Sequence, residues 1–464
     1  MAARFVTVDH DTPLLLPPDL RDWVPADHLV HFVMDAVSQL DMRSARVNER
    51  GTGDEQYPPG MMLGLLIYSY ATGVFSSRQI ERSTSENVAV RLLCADTHPD
   101  HDTVCAFRRQ NGGLLAESFA QVLEMAARCG VLKVGGITVA IDGTKVLANA
   151  SKHTAVSYQH AGERMRELDL EIEELLHKAE EADSTPLEDG LSIPEEVQRR
   201  QERKALLAKA RAEMEARAYA RAQAQQPQYE EVRARREKQR QEGKKPRGRD
   251  PQPPDPTPGP KDQYNLTDPE SRIMKAGSGE HYEQCYNAQA AVEVESRLIV
   301  GERVTNAPTD KQQLLPSFKA VAPQAGPVSE VLIDSGFFSE PAIRQIETGE
   351  QAEPTGITVL TALHREGHGR SVAQLEKKED PPPLAANASF VEQMAHRVAT
   401  RSGRARYKLR QQTVEPVFGI IKQALGFRSF SLRGQAKASL EWTLVSLAYN
   451  FKRLFILGAR LSAA

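Results

Sequence analysis

Two short apolar runs in this chain each stop at an aspartate: Ile137-Thr-Val-Ala-Ile-Asp142, followed by Gly143, and Val331-Leu-Ile-Asp334, followed by Ser-Gly-Phe-Phe. Both are rich in β-branched residues, and their length and bounding turn residues suit a buried strand better than a helix. Further β patterns lie at residues 288–294, 298–304 and 357–363, with helical periodicity at 309–321 and 340–346. Strands that alternate with helices predict an α/β core. Ligands in open α/β sheets collect beyond the carboxyl ends of the strands, so acids placed there face a common crevice. Carboxylates that close repel one another unless a cation lies between them. Mg²⁺ suits this role, because it binds through one or two carboxylates and keeps sites for water and phosphate oxygens. The pair of acids therefore predicts phosphate chemistry.

A third acid stands out by its surroundings. Between His396 and Lys437 there are ten lysines and arginines but one acid, Glu415, although the net charge of the whole chain is -3. The local pattern is Tyr407, then Arg410, then Glu415, then Lys422. On a helix Glu415, Phe418 and Lys422 fall near one face. There the acid would complete a metal cage while Arg410 and Lys422 meet phosphate oxygens, the arginine as a bidentate fork and the lysine as a point charge. Pro416 disfavours the α conformation at Glu415, so a helix is expected to start or kink at that acid.

The first 130 residues read as helices at 29–40, 60–71, 76–85, 103–111 and 114–129, with Ser76 and Asp102 as candidate N-caps and Gly130 closing the last. Arg108 and Arg109 on the fourth of these suggest a helix-turn-helix-like unit lying along DNA; an ordinary helical bundle with a basic face fits the same spacing. Residues 162–182 and 194–240 read as long charged helices, a coiled hairpin, followed by a basic run at 233–249 and a proline-rich exit at 251–260 that no core element can accommodate. The expected organisation is a helical unit at 1–130, a discontinuous catalytic unit at 131–160 and 262–464, and a charged helical insertion at 161–261.

These motifs resemble bacterial insertion-sequence transposases of the Asp-Asp-Glu class that carry a Tyr-Arg-Glu-Lys signature. The resemblance runs through Tyr57-Pro-Pro-Gly-Met-Met, Phe75-Ser-Ser-Arg-Gln-Ile-Glu and Pro99-Asp-His-Asp-Thr in the helical unit. It continues through Ile141-Asp-Gly-Thr, Asn265-Leu-Thr-Asp-Pro-Glu, Tyr286-Asn-Ala-Gln-Ala, Val304-Thr-Asn, the Asp334 strand, and Val414-Glu-Pro-Val-Phe-Gly-Ile-Ile-Lys422. It implies an RNase H-like core in which Asp142, Asp334 and Glu415 bind two Mg²⁺ ions, with Mn²⁺ able to substitute. It also implies Tyr407, Arg410 and Lys422 as DNA contacts. The expected reaction is metal-dependent strand cleavage and strand transfer at transposon terminal repeats, by a homodimer acting on duplex DNA. Four residues separate Arg410 from Glu415 here, where the signature has three.

The alternatives are a nuclease that cuts without joining and an inactive DNA-binding relic or regulator of transposition. No apolar stretch is long enough to span a bilayer, and four cysteines in 464 residues make no disulfide framework, so a cytoplasmic protein is expected.

Overall fold

The computed structural model describes residues 19–47, 56–133, 135–182, 192–243, 246, 248–276, 281–349, 353–363, 379–385 and 387–460. Among the described residues a 3-10 turn at Leu20–Trp23 is followed by six α-helices: α1 (Leu29–Ser38), α2 (Pro59–Ala71), α3 (Ser77–Glu86), α4 (Val88–Leu93), α5 (His101–Gln110) and α6 (Gly112–Arg128). Asp100, not Asp102, caps α5, accepting the Thr103 amide at 2.6 Å; Asp102 lies in the first turn beside the cap. Gly130 closes the end of α6 with a φ of 70°, a conformation glycine adopts without strain.

Strand β1 (Ile137–Leu147) follows, then β2 (Ala155–Ser157), α7 (Tyr158–Ala182), α8 (Ile193–Gln241) and β3 (Gln263–Asn265). Next come β4 (Arg272–Lys275), β5 (Tyr282–Glu293), β6 (Ile299–Thr305), α9 (Leu314–Lys319), β7 (Val328–Ile333), α10 (Glu340–Thr348) and β8 (Thr358–Thr361). The chain closes with α11 (Phe390–Ala399), α12 (Arg401–Gly419), a single π-helical turn at Ile420–Ala424, and α13 (Gln435–Ile456).

The main sheet has six strands in the order β4-β5-β1-β7-β8, with β6 also paired to β5. β6, β5 and β1 are antiparallel neighbours, while β1, β7 and β8 run parallel. β1 is longer than the strand expected to end at Asp142. Its pairing to β7 stops at Ile141, opposite Ile333, but its pairing to β5 continues through Leu147 opposite Cys285. The Asp-Gly step that reads as a turn is a passage where one neighbour leaves and the other stays. The helix expected at 309–321 is shorter too, with only Leu314–Lys319 forming α9.

One buried core runs from the N-terminal helices into the sheet. α13 is its centre, packed against α2 and α6 as well as β6. Trp442 is fully buried and donates its indole N–H to the Gln289 carbonyl at 3.0 Å. Asn450 pins the helix to the edge strand, its side chain exchanging bonds of 2.9 and 2.8 Å with the backbone of Ile299. α7 and α8 form the expected charged hairpin, with Arg200–Glu171 and Lys204–Asp169 pairs between them and a small core of their own that includes Leu168, Leu207, Ala210 and Met214. Part of the basic run, at 244, 245 and 247, lies outside the described residues.

Candidate functional site

The sheet brings the two aspartates together by register. Ile141 of β1 pairs with Ile333 of β7, so Asp142 and Asp334 are the next residues on adjacent parallel strands. Asp334 caps the short helical turn after its strand, accepting the Ser335 amide at 2.6 Å. Asp142 accepts the Gly143 amide at 2.8 Å. Burial pushes the Asp142 carboxyl up to about 6, with the Arg410 charge and the Gly143 bond pulling it down and the charges of Asp334 and Asp310 adding to the rise.

Helix α12 supplies the third acid. It runs through Glu415 and Pro416 without stopping, so the acid lies inside the helix and not at its entrance. Proline removes one amide donor from the helical ladder, and the π turn begins four residues beyond it. Arg410 lies on the same helix with its side chain 8% exposed. Its Nη1 donates to Asp142 Oδ2 and its Nη2 to Glu415 Oε1, each at 3.2 Å, while Nε is buried with no partner. Burial alone would lower the guanidinium's pKa, but the charges of Asp142, Tyr407, Asp334 and Glu415 outweigh it and hold the pKa above its ordinary value. Tyr407 is half-buried beside Arg410, and burial raises its phenol.

The expected phosphate contacts are placed differently from one another. Lys422 turns back to the sheet, where its ammonium donates to the Lys145 carbonyl at 2.6 Å, and burial lowers its pKa. Arg109 is exposed. Arg108 is not at the surface. It is 3% exposed and donates to the Tyr70 hydroxyl at 2.7 Å and the Phe75 carbonyl at 3.2 Å, so its guanidinium is turned into the interior of the helical unit.

Beside Asp142 the structure adds a polar cluster that the sequence reading missed. Asp310 Oδ1 accepts from Asn287 at 2.7 Å and Gln289 at 2.8 Å, and its Oδ2 lies 3.8 Å from the Lys145 ammonium. Asn287 and Gln289 are fully buried, and Gly143 makes room for the cluster: a Cβ there would lie 2.3 Å from Gln289 Nε2 and 2.8 Å from Asp310 Oδ1. Lys145, three residues past Asp142 on a continuing strand, was the available signal. Asp310 carried none, because its segment read as helix.

The donor set of three carboxylates suits a hard cation such as Mg²⁺. The proximity of Asp142 and Asp334 suits it as well, since their mutual repulsion is what a cation relieves. Among the described residues no three acids, histidines or cysteines group closely enough to hold a metal ion. Arg410 occupies the gap between Asp142 and Glu415.

Two family models match the chain. One is described as a transposase DDE domain, at residues 381–455, and the other as a transposase domain (DUF772), at residues 18–110. The first spans α11, α12 and most of α13, with Glu415, and the second spans the helices up to α5. No curated protein and no solved structure matches the chain.

Proposed function

We propose that this chain, an insertion-sequence transposase of the Asp-Asp-Glu class by its two family matches, binds the terminal inverted repeats of its element, cuts there and joins the freed ends to target DNA. The observation that carries the reading is the register that sets Asp142 beside Asp334, with Glu415 tied to Asp142 through one guanidinium. The order β6-β5-β1-β7-β8, antiparallel on one side of β1 and parallel on the other, supports an RNase H-like core. A pair of divalent ions bound there would polarise the scissile phosphate and lower the pKa of the attacking hydroxyl or water.

In this reading Asp142, Asp334 and Glu415 hold the ions, and the protein supplies no nucleophile. Arg410 and Asp142 are largely shielded from water, which strengthens the charge interaction between them, while Glu415 stays exposed at 53%. Tyr407 and Lys422 flank the scissile strand, and Arg109 serves as a backbone contact from the helical unit; Arg108, being interior, is withdrawn from that role. Cutting and joining are both displacements at phosphorus, so one site serves both. Pairing two ends calls for a homodimer, and no helix among the described residues is long and apolar enough to cross a membrane.

The test is cleavage and strand transfer on a labelled duplex carrying the ends of the encoding element, with and without Mg²⁺. Wild type should cut and join only with the metal, and Asp142→Asn and Glu415→Gln should bind the ends but do neither. Binding without cutting by wild type would leave a DNA-binding regulator instead.

A further inference from the structure

The oxygens that Arg410 holds are those a metal needs. Asp142 Oδ2 and Glu415 Oε1 each accept one arm of its fork, and a guanidinium held there competes with a dication for the same carboxylates, because the two positive charges repel. The arginine is nearly buried and sits on the helix that carries Glu415, so it is not a loose surface side chain that drifts off. Yet the fork is incompletely satisfied: both its bonds are long for charge-assisted ones, at 3.2 Å, and Nε has no acceptor. A phosphate group offers what the two carboxylates do not, a single anion whose oxygens match the planar fork bidentately.

We propose that Arg410 gates the metal site: it holds Asp142 and Glu415 as a stand-in cation until a DNA phosphate draws its guanidinium away, and only then do the carboxylates close on metal. Metal loading and DNA binding are thereby coupled, and the coupling is reciprocal, since each ligand favours the same released position of one side chain. A free chain in the cell would then carry little metal and cut little. The inference rests on the metal-site reading above, and it concerns affinity in the absence of DNA, where cutting plays no part.

The experiment is a titration of the DNA-free full chain with Mn²⁺, with free ion followed by electron paramagnetic resonance, for wild type, Arg410→Gln, Arg410→Lys and Asp142→Asn. Arg410→Gln should bind Mn²⁺ about ten-fold more tightly than wild type. Arg410→Lys, which keeps the charge but cannot fork, should fall between them; it also carries the comparison if the glutamine variant does not fold. Asp142→Asn should lose the site. Equal or weaker binding in the Arg410 variants, with binding lost in Asp142→Asn, would overturn the gate and leave the metal site standing. Mn²⁺ binding unaltered by Asp142→Asn would overturn the three-acid reading itself, and the gate with it.

Discussion

Glu302 on β6 shows how a single buried acid sets pH dependence away from the site. Its Oε1 accepts from Thr443 at 2.6 Å, but Oε2 is shut off from solvent with no donor. Burial pushes the carboxyl up to about 7, against the one bond from Thr443 that lowers it. The folded chain therefore keeps the proton to a higher pH than the unfolded chain does. The associated stability is complete below the ordinary glutamate range and declines as pH rises from there to about 7. Glu302→Gln keeps the Thr443 bond and removes the ionisation. The variant should melt with wild type near pH 4.5 and above it at pH 8, by up to about 3 kcal/mol. Thermal melts at the two pH values check this, and a variant no more stable than wild type at pH 8 would show that Glu302 is not desolvated as the structure has it. A smaller slope of the same sign should persist in the variant, because burial raises Asp142 in the same direction.

Between elements, the tie that joins the N-terminal helices to the last helix runs through charge. Arg108 of α5 bonds Tyr70 of α2, Tyr70 lies 3.4 Å from Glu441 of α13, and Glu441 Oε2 accepts the amides of Ser431 and Leu432 at 2.8 and 3.1 Å. Removing one partner of such a buried set leaves the others uncompensated, so Arg108→Ala should cost about 3 kcal/mol. Arg109→Ala should melt like wild type and bind duplex DNA more weakly, with a flatter salt dependence. Melting curves and salt-series binding on the two variants separate the roles; a destabilised Arg109→Ala or a stable Arg108→Ala would reverse them. Adjacent residues on a helix point about 100° apart, so a sequence that shows two arginines cannot say which one faces inward. The same limit governs the rest of what was legible. Asp334 could be read as a strand-end acid, and Asp142 as an acid on a buried strand, because β-branched runs lead up to them, and the α7–α8 hairpin because its charges and apolar positions keep a helical period. The continuation of β1 past Asp142 was hidden, since it depends on β5, a partner far along the chain. Glu415 inside a helix was hidden as well, because packing of Val414, Val417 and Phe418 into the core outweighs the proline beside it.

At the scale of the whole molecule, the core is continuous from α1 to α13, and the hairpin stands apart from it. α7 and α8 pack on each other and on the two-stranded β2–β3 sheet, and their apolar residues form a cluster separate from the main one. Where the hairpin leaves and re-enters, the chain ends meet: the Tyr158 amide donates to the Asp262 carbonyl at 2.8 Å and the Gln159 amide to the Pro260 carbonyl at 3.2 Å. A short glycine-serine linker in place of residues 161–258 can close that gap at a small entropic cost, because the ends are already adjacent. Stability of the main core should then be nearly unchanged, with its melting temperature within about 4 °C of wild type. The deletion would, however, remove the exposed arginines of α8. If the hairpin is a DNA arm, the shortened chain should hold duplex DNA less tightly and lose part of its salt dependence; if its charges only solvate it, retention should match wild type. Loss of the main melting transition would show instead that α7 and α8 support the sheet through β2 and β3, and that the separate apolar cluster does not make the hairpin an independent element.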